Sequence, residues 1–98
     1  MEILNTKVDN TLTLALTGRL DTVTAPELEA ALAENLDGVE ALVLDFSNLD
    51  YISSAGLRVL LSAQKRMNNQ GSMKVTNINA DIREVFEITG FCDILTIE

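Results

Sequence analysis

Two adjacent serines carry the most chemical potential in this sequence. Ser53 and Ser54 lie within Leu44-Asp45-Phe46-Ser47-Asn48-Leu49-Asp50-Tyr51-Ile52-Ser53-Ser54-Ala55-Gly56-Leu57, where an apolar, strand-like run gives way to a segment with helical spacing. A hydroxyl in that place can cap the helix by accepting from an unpaired amide of its first turn. It can attack a substrate, or it can accept a phosphate, which free amides and the positive end of the helix dipole would tolerate. Attack needs a base to activate the hydroxyl. The chain has no histidine and no Gly-x-Ser-x-Gly, so no enzyme is expected. Capping and phosphorylation are compatible, and both stay open. Gly56, without a Cβ, would allow another backbone or a bulky group close to the serines. Asp21, Asp45 and Asp50 could be grouped as an acidic metal or phosphoacceptor cluster, but isolated loop aspartates are read here as turn formers and no metal is assigned. Arg58 is read either as a solvated helix residue or as a contact. Neither a Walker sequence nor Gly-x-Gly-x-x-Gly occurs, so no nucleotide cradle and no cofactor is expected.

The elements that position the serines can be read from periodicity. Ile3–Val8 and Thr11–Thr17, joined at Asp9-Asn10, alternate as a β-hairpin. Thr24-Ala25-Pro26-Glu27 predicts a helix start with a hydroxyl cap, an early proline and a glutamate three residues on. Leu28, Ala31, Leu32 and Leu36 form its inner face, and Gly38 follows its end. The continuous apolar run Ala41–Phe46 predicts a central strand covered on both sides, with Asn48–Ser54 as a loop. A second helix runs from Ser54 to about Asn69 on Leu57, Leu60, Leu61 and Met67. Met73–Ile78 predicts a strand, and Asn79–Thr89 a helix with Ile82, Val85, Phe86 and Thr89 inward. Ile94–Ile97 predicts a last strand. The order β-β-α-β-α-β-α-β implies an α/β fold with a single mixed sheet, the first strand antiparallel, and helices mainly on one face because such crossovers are right-handed.

Ninety-eight residues suffice for one core, so residues 1–98 are read as one domain. A formal charge of −8 would repel phosphate backbones and anionic bilayers, which excludes direct nucleic-acid binding. No apolar run approaches the roughly eighteen residues of a membrane span, and Met1-Glu2-Ile3-Leu4-Asn5 does not resemble a secretion signal. Cys92 is the only cysteine, so no internal disulfide can form. Together these predict a cytoplasmic protein with no membrane insertion.

Three segments resemble the STAS family of anti-sigma factor antagonists. Leu16-Thr17-Gly18-Arg19-Leu20-Asp21-Thr22-Val23-Thr24-Ala25 is similar to that family's Leu-x-Gly-x-Leu-Asp-x-x-Thr-Ala segment. Leu44-Asp45-Phe46-Ser47, followed by Tyr51-Ile52-Ser53-Ser54-Ala55-Gly56-Leu57, resembles its strand, loop and phosphorylation motif. Ile82 to Phe91 resembles its third helix and the Ser/Thr-Gly-Leu/Phe ending. The resemblance places the phosphorylated serine on Ser54, while Ser53 stands where the family usually has aspartate and becomes a second candidate acceptor. It implies a partner switch. The unmodified domain would bind an anti-sigma factor that is also a serine kinase of histidine-kinase-like ATPase fold, phosphorylation would release it, and a serine phosphatase would reset it. The expected partner surface comprises Asp21, Thr24, Asp50, Tyr51, Ser53, Ser54, Gly56 and Arg58. The alternatives are a non-switching STAS scaffold or transport-complex subunit, and a small anion- or nucleotide-binding domain.

Overall fold

The hairpin forms where alternation predicts it, and its register follows from a two-residue connection. The computed structural model describes residues 1–98. β1 (Glu2–Val8) pairs antiparallel with β2 (Thr11–Leu20) from Glu2 opposite Thr17 to Val8 opposite Thr11. Asp9 takes the turn at φ 55°, a left-handed conformation that aspartate tolerates better than most side chains. On β2, Leu12, Leu14, Leu16 and Leu20 are buried while the threonines between them face outward or are half-buried. β2 is three residues longer than the Thr11–Thr17 reading, since Gly18, Arg19 and Leu20 stay in the ladder.

The chain then alternates between the helices α1 (Ala25–Asn35), α2 (Ser54–Asn68) and α3 (Ala80–Thr89) and the strands β3 (Ala41–Ile52) and β4 (Ser72–Thr76). The sheet order is β1-β2-β3-β4, with β2, β3 and β4 mutually parallel. The helices and the inner sheet face share one core, in which Phe46, Phe86, Leu14, Leu28, Leu44 and Leu60 are almost fully buried. This is the mixed α/β sheet that the element order implies. Each crossover returns the chain to the same face, so one layer of helices suffices.

Several local expectations are corrected. β3 does not stop at Phe46, because the predicted loop from Asn48 continues the strand to Ile52. Two register shifts against β2, between Ala15 and Thr17 and between Gly18 and Arg19, insert extra residues on the β3 side. These bulges change the inward set from every second residue (Leu42, Leu44, Phe46) to every third (Leu49, Ile52), and that spacing hides a strand from a period-two reading. Nor is β3 covered on both sides, since Ala41, Val43 and Asp45 on the outer face are only half-buried. β4 ends at Thr76, short of Ile78.

Thr89 is exposed, not inward, and its hydroxyl donates to the Val85 carbonyl at 2.7 Å. Gly90 adopts φ 81° and leads into a short 3-10 turn at Phe91–Asp93. The predicted last strand, Ile94–Ile97, does not form: Ile94 and Leu95 continue the turn, and a single parallel bridge between Val75 and Ile97 is what remains. Leu95, 5% exposed, anchors this segment in the core. A different close approach explains Gly71, where a Cβ would collide with the Glu40 carbonyl.

Candidate functional site

The end of β2 and the start of α2 are tied together by the Ser53 N–H, which donates to the Leu20 carbonyl at 2.9 Å. That single bond brings the Asp21–Thr24 turn beside the two serines. Ser53 occupies the cap position of α2 in an extended conformation (φ −101°, ψ 176°), and its carbonyl accepts from Leu57 N–H at 3.0 Å. Ser53 is therefore the N-cap residue of α2, but its hydroxyl makes no side-chain cap bond to the helix. The Ser53 Oγ is shielded from solvent and has no hydrogen-bond partner, whereas Ser54, the first residue of α2, is exposed. No acidic side chain lies in the first turn of α2, so the positive end of its dipole is unopposed from within.

Gly56 is buried, and a Cβ there would come within 2.7 Å of Leu20 Cγ and 2.8 Å of Ile52 Cγ1. Its missing side chain therefore lets α2 lie close against β2 and β3. It does not open a path for a partner, and Gly56 is withdrawn from the predicted contact surface because it has almost no surface to offer.

Asp21 and Thr24 form a reciprocal turn. The carboxylate Oδ1 accepts from Val23 N–H at 3.0 Å and Thr24 N–H at 3.1 Å, while the Thr24 hydroxyl accepts from Asp21 N–H at 2.9 Å and donates to the Arg19 carbonyl at 2.7 Å. This is capping-box chemistry placed three residues earlier than predicted. Thr24 is the residue before α1 but makes no cap bond to it, because its hydroxyl is committed backwards to Asp21 and Arg19. The Thr24 N–H, followed by the Val23 N–H, the Thr24 hydroxyl and the nearby Arg19, holds the Asp21 carboxyl below the usual aspartate range, against a desolvation effect that raises it.

The remaining aspartates lie apart. Asp45 accepts from the Asn77 side-chain amide at 3.0 Å and from Ser47 N–H at 3.0 Å, and the Asn77 bond, then the Ser47 amide, lowers its pKa. Asp50 is exposed. Asp21, Asp45 and Asp50 do not converge on one point, and no group of three His, Cys, Asp or Glu residues is placed to hold a metal. A Ser-x-x-Lys spacing occurs once, from Ser62 to Lys65 in α2, but both side chains are exposed. Nothing there holds the amine against the hydroxyl as a base would require.

Tyr51 and Arg58 are both exposed. Arg58 lies one helical turn beyond Ser54, a spacing that places side chains on one face. With Thr22, Pro26 and Ala55 it borders a shallow groove of about 230 Å³ between the start of α1 and the start of α2. The structure thus gathers the Asp21–Thr24 turn, Ser54 and Arg58 at one end of the molecule. It also places there a residue that sequence reasoning left off the contact surface. Arg19 is opposite Tyr51 in the β2–β3 register, and its guanidinium lies 4.2 Å from the ring centroid. The only signal for that pairing was the register itself, which the bulges of β3 conceal.

A mixed four-stranded sheet covered by one layer of helices defines the class by its fold: a small single-sheet α/β domain. The chain belongs to the STAS domain family, whose family model matches residues 2–98. It is 41% identical over 99 residues to BtrV of Bordetella bronchiseptica, which carries an anti-sigma factor antagonist name, covering 99% of this chain and 85% of that one. It is 32% identical over 82 residues to an anti-sigma-B factor antagonist of Staphylococcus aureus, covering 82% of this chain and 76% of that one. The fold superposes on the Bacillus protein SpoIIAA, solved unphosphorylated (TM-score 0.78, 18% identity, 99% of this chain and 87% of that one) and phosphorylated (TM-score 0.77, 18% identity, 99% and 91%). At that identity the likeness shows the fold.

Proposed function

We propose that this chain is an anti-sigma factor antagonist. In its unmodified form it binds an anti-sigma factor that is also a serine kinase of histidine-kinase-like ATPase fold. Phosphorylation of Ser54 by that kinase releases it, and a serine phosphatase restores it. The observation that carries this reading is the position of Ser54, exposed at the first residue of α2 on a STAS frame. The antagonist names of the Bordetella and Staphylococcus relatives support the partner class. The shielding of the Ser53 Oγ favours Ser54 as acceptor over its neighbour. No helix of the chain is long and apolar enough to cross a membrane, and a cytoplasmic partner suits such a chain.

The physical step is a change of charge on a fixed surface. A phosphoserine adds close to two negative charges. At the start of α2 the fold accommodates them, because the amides and the dipole favour an anion there. The partner does not: an uncompensated charge enclosed in an interface costs about 3–5 kcal/mol, equivalent to roughly two to four decades of affinity. Release therefore requires no change of shape in the antagonist.

The test is titration of the host's serine-kinase anti-sigma factor against wild type, Ser54→Ala and Ser54→Asp, with phosphosite mapping after incubation with ATP. Ser54→Ala should bind like wild type and resist release, and Ser54→Asp should bind at least tenfold more weakly. Wild-type affinity in Ser54→Asp, with no phosphate on Ser54, would leave a non-switching scaffold as the better account.

A further inference from the structure

Beside the proposed switch lies a cation that the fold holds in place and leaves available. Arg19 is the last-but-one residue of β2, and its guanidinium lies over the face of Tyr51 at 4.2 Å from the ring centroid. The residues are register partners on neighbouring strands, so the backbone ladder sets the stack. The Arg19 side chain is 61% exposed and forms a loose ion pair with Asp21 Oδ2, 3.8 Å from Nε, a distance too long for a hydrogen bond, so its N–H donors stay free. Asp21 cannot easily close that gap, because its other oxygen is bound to the amides of Val23 and Thr24. Tyr51, for its part, is 40% exposed. In a chain of net charge −8, this is a preordered cation with unspent donors.

We propose that Arg19, held by Tyr51, is a specificity point of the partner interface and receives a carboxylate, an aspartate or glutamate side chain, from the docking protein. The inference rests on the partner-binding reading above and adds to it the chemistry of the surface being read. Three properties favour a carboxylate on a protein. The guanidinium fork matches it in a bidentate geometry that an ammonium cannot reproduce. Stacking on an aromatic ring removes much of the rotamer entropy that an exposed arginine would otherwise lose on binding. Paired arginine and tyrosine side chains are also the residue types that dominate binding energy at protein interfaces. Against a surface with an excess of negative charge, an acidic residue facing Arg19 helps to select the docking orientation as well as the partner.

The experiment measures binding of the host's serine-kinase anti-sigma factor to wild type, Arg19→Ala, Arg19→Lys, Tyr51→Ala and the double variant Arg19→Ala with Tyr51→Ala, all with Ser54 unmodified, at low and high salt. Thermal unfolding of each variant reports whether the fold is intact. The expected result is a loss of about tenfold to a hundredfold in Arg19→Ala, with a weaker dependence of binding on salt. Arg19→Lys should recover only part of that loss, since it restores charge without the fork. Tyr51→Ala should weaken binding in wild type but scarcely at all when Arg19 is already alanine. Equal binding by wild type and Arg19→Ala would overturn the assignment while leaving the switch at Ser54 standing, and full affinity in Arg19→Lys would overturn the carboxylate fork. No binding by wild type would remove both readings together.

Discussion

At the scale of single residues, two carboxylates are held by short hydrogen bonds, Asp21 within one turn and Asp45 also across a long separation in sequence. Asp21 and Thr24 satisfy each other's backbone amides across one turn, and Asp45 fastens the end of β4 through Asn77. Both carboxyls titrate below the ordinary aspartate range, Asp21 through the Thr24 amide first and Asp45 through the Asn77 amide first. The sign follows from linkage. A carboxyl whose folded pKa is depressed stabilises the fold above its unfolded value, about 3.9, and loses that contribution as pH falls through the lower folded value. Urea unfolding of wild type, Asp21→Asn and Asp45→Asn across pH 7 to 3 should therefore show each variant less stable than wild type at neutral pH. The gap should narrow below about pH 4. A gap that stays constant with pH would mean that the amides do not recognise the charge. Asp21 was legible in the sequence as a turn former. Its reciprocal partner was misplaced, because Thr24 looks equally like a cap for the helix that follows it.

At the scale of elements, the position of α2 depends on the absence of one carbon. Gly56 lies where a Cβ would press on Leu20 Cγ and Ile52 Cγ1, and both side chains are buried in the core with little room to move aside. Gly56→Ala should cost about 1–2 kcal/mol by chemical denaturation, the strain of overpacking exceeding the gain of up to about 1 kcal/mol in helix propensity. It should also weaken partner binding, since α2 can relieve the clash only by shifting Ser54 with it. Unchanged stability in Gly56→Ala would show that the glycine is not needed for packing. At the other end of the crossover, α3 starts with a working side-chain cap: Asn79 Oδ1 accepts from Ile82 N–H at 2.8 Å and its amide donates to the Leu49 carbonyl at 3.2 Å. Asn79→Ala should cost about 1 kcal/mol in the same measurement. The three helices were legible because apolar residues recur along them with helical spacing. The second half of β3 was not, since its bulges replace the alternation that marks a strand.

For the whole molecule, the dominant property is charge. A net −8 and an isoelectric point near 4.3 keep copies apart at neutral pH and remove that repulsion in mild acid. Light scattering at low salt should rise as the pH approaches 4.3 and fall again on return to pH 7. A flat profile would mean that charge does not keep the protein monodisperse. The sequence by itself determined the element order as far as the third helix, the mixed sheet, the hydrophobic core and the segment that holds Ser54, because burial periodicity and turn chemistry are local and recur within a few residues. The tertiary structure alone decided which hydroxyl faces solvent, that Gly56 serves packing, that the last strand shrinks to one bridge and that Arg19 meets Tyr51. Each of those facts depends on the register between segments far apart in the chain. Register is fixed by the packing of the whole core against its turns and bulges, and no window of neighbouring residues contains it.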